Sequence, residues 1–332
     1  MNLYPLIMTP HYRHGAQTPW GGQALREIFM KDAPEDLTGE SLEVSTLEEQ
    51  ESLVSNGPHA GKTLSRMVEL WSKDLTGTAD GTFPLVLKLV DAGQNTSVQV
   101  HPDDAYAQAH ENMTGKTEAW VILNAEPGAQ LLSGLDAGGE ALQALAAESR
   151  IGECLRWQAA RPGDVYYLPA GTVHALGAGI QIYELQTACD ITFRLWDFDR
   201  NERPLHVAQA LEVIKPNAVP QKNEGTTMLC KGGSRTYYVC DKAMELCRLN
   251  LSGTMPLESG KLLLLTPLGE CELRWSGESL FLDPFQTVVI PASLEGVALV
   301  GNTKVLMAAP SDQQRLREAL GYRAENVAGL MD

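Results

Sequence analysis

Short strand-like runs separated by turn-forming residues constrain the fold of this chain more than any other feature. Apolar or alternating runs recur between glycine, proline and asparagine, and they include PLVLKLV, SVQVH, AWVIL, DVYYLP, IQIYELQ and ITFRLWDF. Many short strand-like runs separated by turn-forming residues are typical of antiparallel β-sandwiches and barrels. The sequence therefore predicts a mainly β protein.

Helical periodicity is confined to a few segments. The clearest are KTLSRMVELWSK, EALQALAAESR at residues 140–150 and SDQQRLREALG near the C-terminus. The last segment carries a capping-box pattern at Ser311 and Gln314 and a stop signal at Gly321. We expect short helical additions before residue 80, near residues 140–150 and at the C-terminus.

Length and a change of pattern both indicate two domains. The 332 residues, of which 44% are hydrophobic, are enough to fill two cores. The strand pattern is lost between Arg203 and Gly225, where the segment VIKPNAVPQKNEG contains two prolines and many polar residues. We place the division there, which gives domains at residues 1–215 and 216–332.

The two predicted domains share a repeated segment. RPGDVYYLPAGTVH at residues 161–174 can be laid on DPFQTVVIPASLEG at residues 283–296 without a gap, and both read as turn, strand, Pro-Ala and turn. The first copy ends in His174 and the second in Gly296. The repeat predicts two β-sandwich domains, of which only the N-terminal one keeps a polar site.

The net charge argues against two classes of binding partner, nucleic acid and anionic membrane surfaces. A formal charge of −16 would repel nucleic acid and anionic membrane surfaces. No apolar run approaches the roughly 20 residues of a membrane span, and the start MNLYPLIMTPHYRHG lacks the pattern of a signal peptide. We expect a cytoplasmic protein with a small-molecule partner, and the sequence leaves its oligomeric state open.

Four polar residues in or beside the strand-like runs are suited to hold a metal ion. Gln99 and His101 alternate on one predicted strand and so face the same side. Glu118 begins the run EAWVIL, and His174 ends the segment PAGTVH. This nitrogen and oxygen set suits Zn²⁺ or another divalent first-row ion. Each residue taken singly is equally consistent with a hydrogen-bonded strand residue.

The segments SVQVHPDD, GKTEAWVIL, PAGTVHAL and TACDITFRLWDFDR resemble the motif blocks of type I mannose-6-phosphate isomerases, members of the cupin superfamily, in their short bacterial form. Three further segments agree with this resemblance: TPWGGQAL, GESLEVS and FPLVLKLVDAGQNTSVQVHP. The resemblance is therefore strong from residue 10 to about residue 215. Gly163, Pro169, Gly171 and His174 match the second cupin motif. That motif's later asparagine is replaced by Ala178, and the HxH of the first motif is QxH, as in this isomerase family.

The resemblance implies two cupin-like antiparallel β-sandwich domains of the jelly-roll type with a few short helices. It also implies one zinc ion per chain, bound in the N-terminal domain, and a sugar phosphate substrate. The implied metal ligands are Gln99, His101, Glu118 and His174. The implied catalytic residues are Lys116, Glu184 and Arg194.

The chemistry of an aldose–ketose isomerisation fits these residue types. A proton leaves the carbon beside a carbonyl and returns to the neighbouring carbon through an anionic cis-enediol, which a cation stabilises. Glu184 is a candidate base, and a metal-bound hydroxide is another. Arg194 is suited to a phosphate or to the enediol, and Lys116 could serve either role.

Simpler interpretations of the same residues also stay open. Arg194 could pair with Asp197 or Asp199, Lys116 could be a solvated turn residue, and Glu184 could face water. The alternation in ITFRLW predicts that Thr192, Arg194 and Trp196 share one strand face.

Three functions are consistent with the sequence. The first is a zinc-dependent isomerase that interconverts mannose 6-phosphate and fructose 6-phosphate. The second is a related isomerase for a free or differently phosphorylated sugar, and the third is a non-catalytic sugar-binding cupin. Because all four implied metal ligands and both implied basic residues are present, the third is the least favoured, and activity with and without the 6-phosphate discriminates between the first two. The family resemblance favours the first.

Overall fold

The computed structural model describes residues 3–34 and 37–330. Up to residue 200 its strands are β1 Leu6–Thr9, β2 His11–His14, β3 Thr38–Val44, β4 Leu53–Val54, β5 Leu85–Ala92, β6 Val98–Val100, β7 Glu118–Ala125, β8 Gln130–Leu135, β9 Leu155–Ala159, β10 Val165–Leu168, β11 Ile180–Thr187 and β12 Phe193–Trp196. The later strands are β13 Gln221–Lys222, β14 Thr226–Cys230, β15 Gly233–Cys240, β16 Met244–Leu251, β17 Gly253–Pro256, β18 Leu263–Pro267, β19 Cys271–Trp275, β20 Glu278–Leu282, β21 Val288–Ile290, β22 Ala298–Gly301 and β23 Lys304–Pro310.

The helices are short and lie between strands or at the C-terminal end. The α-helices are α1 Ala24–Glu27, α2 Leu64–Trp71, α3 Lys73–Thr76, α4 Asp104–His110, α5 Gly139–Ala147, α6 Val207–Val213 and α7 Gln313–Leu320. Short 3₁₀ helices occupy Gly15–Gln17, Gly57–His59, Ile151–Cys154 and Gly321–Asn326. The predicted mainly β, cupin-like architecture with short helices is confirmed.

The chain forms two compact units that are not consecutive in sequence. The N-terminal unit, as we name it, comprises Tyr12–Ser41 and Lys88–Lys222, and the C-terminal unit comprises Met1–His11, Leu42–Leu87 and Asn223–Asp332 in their described parts. The division predicted at residue 215 lies close to the last change of unit. Residues 42–87, however, group with the C-terminal unit and not with the segments that surround them in the sequence.

The N-terminal unit is built around an antiparallel sheet whose strands differ in length. Among the described residues its strand order is β13-β10-β7-β11-β5-β3-β2, and the pairs β12-β6 and β8-β9 accompany it. Every residue of β5 is buried, and so is every residue of β11 except Thr187, which fits their central place in the sheet. Trp120, Tyr166, Leu168 and Ile182 belong to one apolar cluster of this unit.

The C-terminal unit contains a longer sheet of order β14-β15-β16-β23-β18-β21-β1-β4 and a smaller one of order β17-β22-β19-β20. One large apolar cluster lies in this unit, with Leu249, Leu265, Val288 and Leu299 all fully buried. Among the described residues no helix is both long and apolar enough to cross a lipid bilayer.

Helix boundaries agree with the sequence in two cases and correct it in a third. Helix α2 begins after Thr63, whose side chain accepts a hydrogen bond from the backbone N–H of Arg66 at 3.1 Å. The predicted capping box at Ser311 is wrong. Asp312 caps α7 by accepting from the Arg315 N–H at 3.2 Å, while the Ser311 hydroxyl donates to the backbone oxygen of Asp241. Helix α7 ends at Leu320, before Gly321, as the sequence predicts.

The repeated segments have the same local structure. Strand β10 in the first copy and β21 in the second are each followed by Pro-Ala, and aligned residues Tyr166 and Val288 both lie in the apolar cluster of their unit. The turn before each strand also matches, because Gly163 and Phe285 occupy the same aligned position with φ values of 90° and 61°.

Candidate metal centre and active site

Two separated segments meet at strand β6 to bring three of the predicted ligands together. Gln99 lies within β6, and His101 directly follows the strand. His174 joins them through backbone pairing: its N–H donates to the Gln99 carbonyl at 3.0 Å, and its carbonyl accepts from the Gln99 N–H at 3.1 Å. The His101 and His174 rings lie 4.9 Å apart between centroids.

Glu118 reaches this group from the centre of the sheet. It is the first residue of β7 and stands in register with Leu168 of β10 and Gln186 of β11. Its Oε1 lies 3.0 Å from Nε2 of His101, and its Oε2 lies 3.5 Å from Nε2 of His174. The ligand atoms of these three residues all lie within 4.8 Å of one another, and all three residues are buried, so the group could hold a metal ion.

Backbone carbonyls set the tautomers of both imidazoles. Nδ1 of His101 lies 2.8 Å from the oxygen of Ile191, and Nδ1 of His174 lies 2.9 Å from the oxygen of Thr172. A carbonyl only accepts, so each Nδ1 carries the proton. Burial, followed by the charge of Lys116, lowers the pKa of His101 to about 3, and burial also lowers the pKa of His174. Both rings are therefore neutral, with the Nε2 lone pair facing Glu118.

Glu118 is ionised although it is buried. Burial would raise its pKa, but the positive charge of Lys116 holds that pKa well below the usual range. Among the described residues, no donor with hydrogen-bond geometry reaches Nε2 of His101 or Oε2 of Glu118. Converging lone pairs on one carboxylate and two neutral imidazoles fit a divalent cation, and the Nδ1 carbonyl bonds are of the kind that orient metal-bound histidines.

Gln99 borders the same group through its amide. Its Nε2 lies 3.2 Å from Nε2 of His174, and its Oε1 accepts from the hydroxyl of Ser97 at 3.2 Å. A half-turn of the amide exchanges these two atoms and presents the oxygen to the shared centre.

Lys116 is buried beside Glu118 and is not the solvated turn residue considered from the sequence. Only 3% of it is exposed, and its Nζ lies 2.8 Å from Oε1 of Glu118. Burial would lower the pKa of Lys116, but the carboxylates of Glu118, Glu184 and Asp190 outweigh burial and raise it. Lys116 is therefore a fixed cation next to the candidate metal ligands.

Glu184 faces inward. It lies on β11 in register with Trp120 of β7 and is 7% exposed. Burial, followed by the negative charge of Glu118, raises its pKa to about 7, although Lys88 and Lys116 act in the opposite direction. Of the two orientations that the alternation IQIYELQ leaves open, the structure has the buried one.

Arg194 stands opposite a candidate metal ligand, and neither acid that the sequence suggests for it forms an ion pair with it among the described residues. Arg194 on β12 is in register with Gln99 on β6, so both side chains leave the strand pair on one face. Asp197 instead accepts Arg200 at 2.7 Å and Arg203 at 2.9 Å. Asp199 accepts from Nε1 of Trp196 at 3.4 Å. Nε of Arg194 is buried without a hydrogen-bond partner among the described residues.

One expectation for strand β12 is wrong. The ladder between β12 and β6 shifts register between Arg194 and Trp196, which marks a bulge. Thr192 and Arg194 line the cavity next to Gln99, whereas Trp196 lines a different cavity and packs on Phe198 with ring centroids 4.3 Å apart.

Two of the candidate ligands, Gln99 and His174, border a cavity that is rich in charged side chains. About 580 Å³ of space lies between its atoms, part of it open to solvent. Its lining includes residues that sequence reasoning did not assign, chiefly Arg13, Trp20, Glu40, Lys88 and Arg203. One signal was available: a lysine within the buried run PLVLKLV is rare unless it is paired.

Fold and site together define a cupin with a candidate metal centre beside a polar cavity. A sequence profile of the family described as "Phosphomannose isomerase type I, catalytic domain" matches residues 11–127. The chain is 35% identical over 321 residues to the mannose-6-phosphate isomerase ManA of Bacillus subtilis (92% of this chain, 99% of the relative) and 31% identical over 299 residues to that of Streptococcus mutans (86% and 93%). It also resembles a crystal structure of the mannose 6-phosphate isomerase from Bacillus subtilis, with a TM-score of 0.84, 29% identity and coverage of 92% of this chain and 99% of that one. The chain belongs to the type I phosphomannose isomerase family and is an enzyme of the isomerase class.

Proposed function

We propose that this enzyme interconverts mannose 6-phosphate and fructose 6-phosphate with the help of a bound divalent metal. The observation that carries the proposal is the buried group of His101, Glu118 and His174, with its unpartnered lone pairs, at the edge of a cavity that also presents Glu184 and Arg194. The names of the relatives that cover nearly the whole chain supply the substrate.

The metal is proposed to be zinc, one ion per chain, held by Gln99, His101, Glu118 and His174. The donor set of two imidazoles, one carboxylate and one amide oxygen, without a thiolate, is suited to a catalytic site of this metal. When bound, the metal supplies Lewis-acid stabilisation of negative charge on the substrate oxygens.

Glu184 is the proposed base. The reaction takes a proton from the carbon next to the carbonyl, and the electrons of the broken C–H bond form the double bond of a cis-enediol while the carbonyl oxygen gains a proton. Returning the first proton to the former carbonyl carbon, while the hydroxyl on the adjacent carbon loses its own proton and becomes the new carbonyl, gives the other sugar. A carboxylate with a pKa of about 7 can both accept and return a proton near neutral pH.

The basic residues divide between the two ends of the substrate. Lys116, 2.8 Å from Glu118, is placed to stabilise negative charge at the reacting end. Arg194 and Arg203 line the cavity as well, and the charge of Arg203 lowers the pKa of Arg194 after the effect of burial. An anionic group between two guanidiniums would relieve this repulsion, and it can be the enediol at the reacting end or the phosphate at the other end of the substrate.

The test is a coupled isomerase assay of the purified protein together with elemental analysis. We expect a stoichiometric transition metal and activity with mannose 6-phosphate that exceeds activity with free mannose by at least about 100-fold, roughly the contribution of two charged hydrogen bonds. Equal activity on the two sugars would favour the isomerase for free sugars. Protein without stoichiometric metal but with full activity would contradict the metal site, and no activity on either sugar would favour a binding protein.

A further inference from the structure

A row of ionisable side chains with alternating charge crosses four neighbouring strands of the N-terminal unit. The strands β11, β5, β3 and β2 are adjacent in the sheet and carry Glu184, Lys88, Glu40 and Arg13 in that order. Lys88 Nζ lies 3.3 Å from Oε1 of Glu184 and 3.4 Å from Oε2 of Glu40. Arg13 Nη1 donates to the same Glu40 oxygen at 3.0 Å. We refer to these four residues as the charge ladder.

The charge ladder extends to Asp190, because Nη2 of Arg13 donates to Oδ2 of Asp190 at 2.7 Å. The side chains of Lys88, Glu184, Arg13 and Glu40 are only 3%, 9%, 13% and 14% exposed. Water therefore solvates these charges poorly, and each charge must be balanced by the opposite charge of a neighbouring side chain. All four ladder residues line the cavity that the candidate metal ligands border.

Glu184 lies at one end of the charge ladder, so its negative charge is balanced by a ladder residue, Lys88, on one side only. Lys88 is shared between two carboxylates, so Glu184 receives only part of its charge. Glu40 in turn is kept ionised, since the charges of Lys88 and Arg13 outweigh burial and lower its pKa. Neutralising Glu40 would release Lys88 to pair with Glu184 alone.

We propose that Glu40 and Arg13 are positioning residues of the isomerisation, which hold Lys88 between two carboxylates so that Glu184 is neither locked in a complete ion pair nor left without one. This rests on the proposed function, because it takes Glu184 as the base. The residues act through Lys88 and need no contact with the substrate. Arg13 supplies the geometry, since its planar fork binds Glu40 and Asp190 with different nitrogens.

The direction of the pH effect distinguishes this role from a purely structural one. Charged groups face Glu184 from three sides: Lys88 on β5, Glu40 on β3, and Lys116 with Glu118 at the start of β7. A base works in its deprotonated form, so the acidic limb of kcat/KM against pH follows the pKa of Glu184. Removing the negative charge of Glu40 lowers that pKa, and removing the positive charge of Lys88 raises it.

The experiment compares Glu40→Gln and Lys88→Met in the metal-loaded, full-length enzyme. We expect the acidic limb to move to lower pH in Glu40→Gln and to higher pH in Lys88→Met, each by about half a pH unit or more. Glu40→Asp, which keeps the charge, should restore most of the wild-type profile. Glu140→Gln, an equal change of net charge at an exposed position of α5, should leave the profile unchanged.

A second measurement is independent of turnover. Titration of the protein with ¹³C-labelled glutamate carboxyl groups, with the Glu184 signal assigned by its loss in Glu184→Gln, reports the same two opposite shifts directly. Shifts of the same sign in the two variants, or a Glu40→Gln profile equal to that of Glu140→Gln, would overturn the proposal. An enzyme inactive on mannose 6-phosphate would refute the proposed function instead, while the titration would still decide the role of Glu40.

Discussion

The repeated segments in the two units show how one scaffold can carry chemistry in one copy and packing in the other. In the N-terminal unit the segment runs from β10 to His174, whose backbone pairs with Gln99 and whose ring faces Glu118. In the C-terminal unit the aligned segment runs from β21 to Gly296, which has a φ of 67° and open space around its Cβ position. The strands match, and the side chain that would join a metal group is absent at Gly296.

Charged residues inside the two units differ in the same way. In the C-terminal unit Lys261 lies 2.8 Å from Glu245 and Arg235 lies 2.9 Å from Glu258, so these charges balance one another in pairs. In the N-terminal unit Lys116 balances only Oε1 of Glu118, at 2.8 Å, while Oε2 of Glu118 and Nε2 of His101 have no hydrogen-bond partner among the described residues. Complementary pairs favour stability, whereas converging lone pairs are unfavourable until a cation binds.

The largest effect is expected from removing a proposed metal ligand, His174, from the N-terminal copy of the repeated segment. We expect His174→Ala to lose stoichiometric metal and to lower kcat/KM by at least about 100-fold, the upper range for residues that only support a metal ligand. Gly296→Ala at the aligned position should keep both metal and activity and cost about 1–2 kcal/mol for its left-handed backbone. Elemental analysis and the isomerase assay measure both variants, and a His174→Ala protein with full metal would remove this residue from the site.

A core substitution in the C-terminal unit should have the opposite signature. Leu265 is fully buried, in register with Val288 of β21 and Met307 of β23. Leu265→Ala should lower the free energy of unfolding by about 2–5 kcal/mol because it leaves a cavity. Leu229→Ala, at a position 89% exposed, should change it by less than about 0.5 kcal/mol.

Denaturant unfolding followed by tryptophan fluorescence measures both leucine variants, and Trp275 lies in the same apolar cluster as Leu265. Metal content per folded chain should stay at the wild-type value in both. Loss of metal in Leu265→Ala under conditions where the chain is folded would show that the C-terminal unit supports the site directly.

A substitution of Arg194, also in the N-terminal unit, should have a smaller effect on catalysis. We expect Arg194→Ala to lower kcat by at least about tenfold, equal to about 1.4 kcal/mol of transition-state stabilisation, with metal content unchanged. The physical reason is that a guanidinium opposite Gln99, whose Nε has no hydrogen-bond partner in the described part of the chain, can stabilise charge that develops during proton transfer. Steady-state kinetics decide the role: a raised KM with unchanged kcat would make Arg194 a uniform contact to the phosphate.

The sequence predicts the elements of this fold well where a local pattern repeats. The runs PLVLKLV, AWVIL and IQIYELQ are strands, and KTLSRMVELWSK contains a helix with Thr63 as its cap. Short helices α4 and α6 were missed, because seven residues give too little periodicity to stand out from a loop. The cap of α7 was missed because Ser311 and Asp312 are both good caps, and a contact to Asp241 far away in sequence decides between them.

Local sequence also determined which residue types are available for the site. The alternation of Gln99 and His101 and the repeat ending in His174 follow from strand periodicity and from a family resemblance. Only tertiary structure decided that Glu118 lies 3.0 Å from His101, that Asp197 is taken by two other arginines and that Lys88 joins Glu40 to Glu184. These contacts depend on which strands are neighbours in the sheet and in what register, and strand order is set by long-range packing that no short segment encodes.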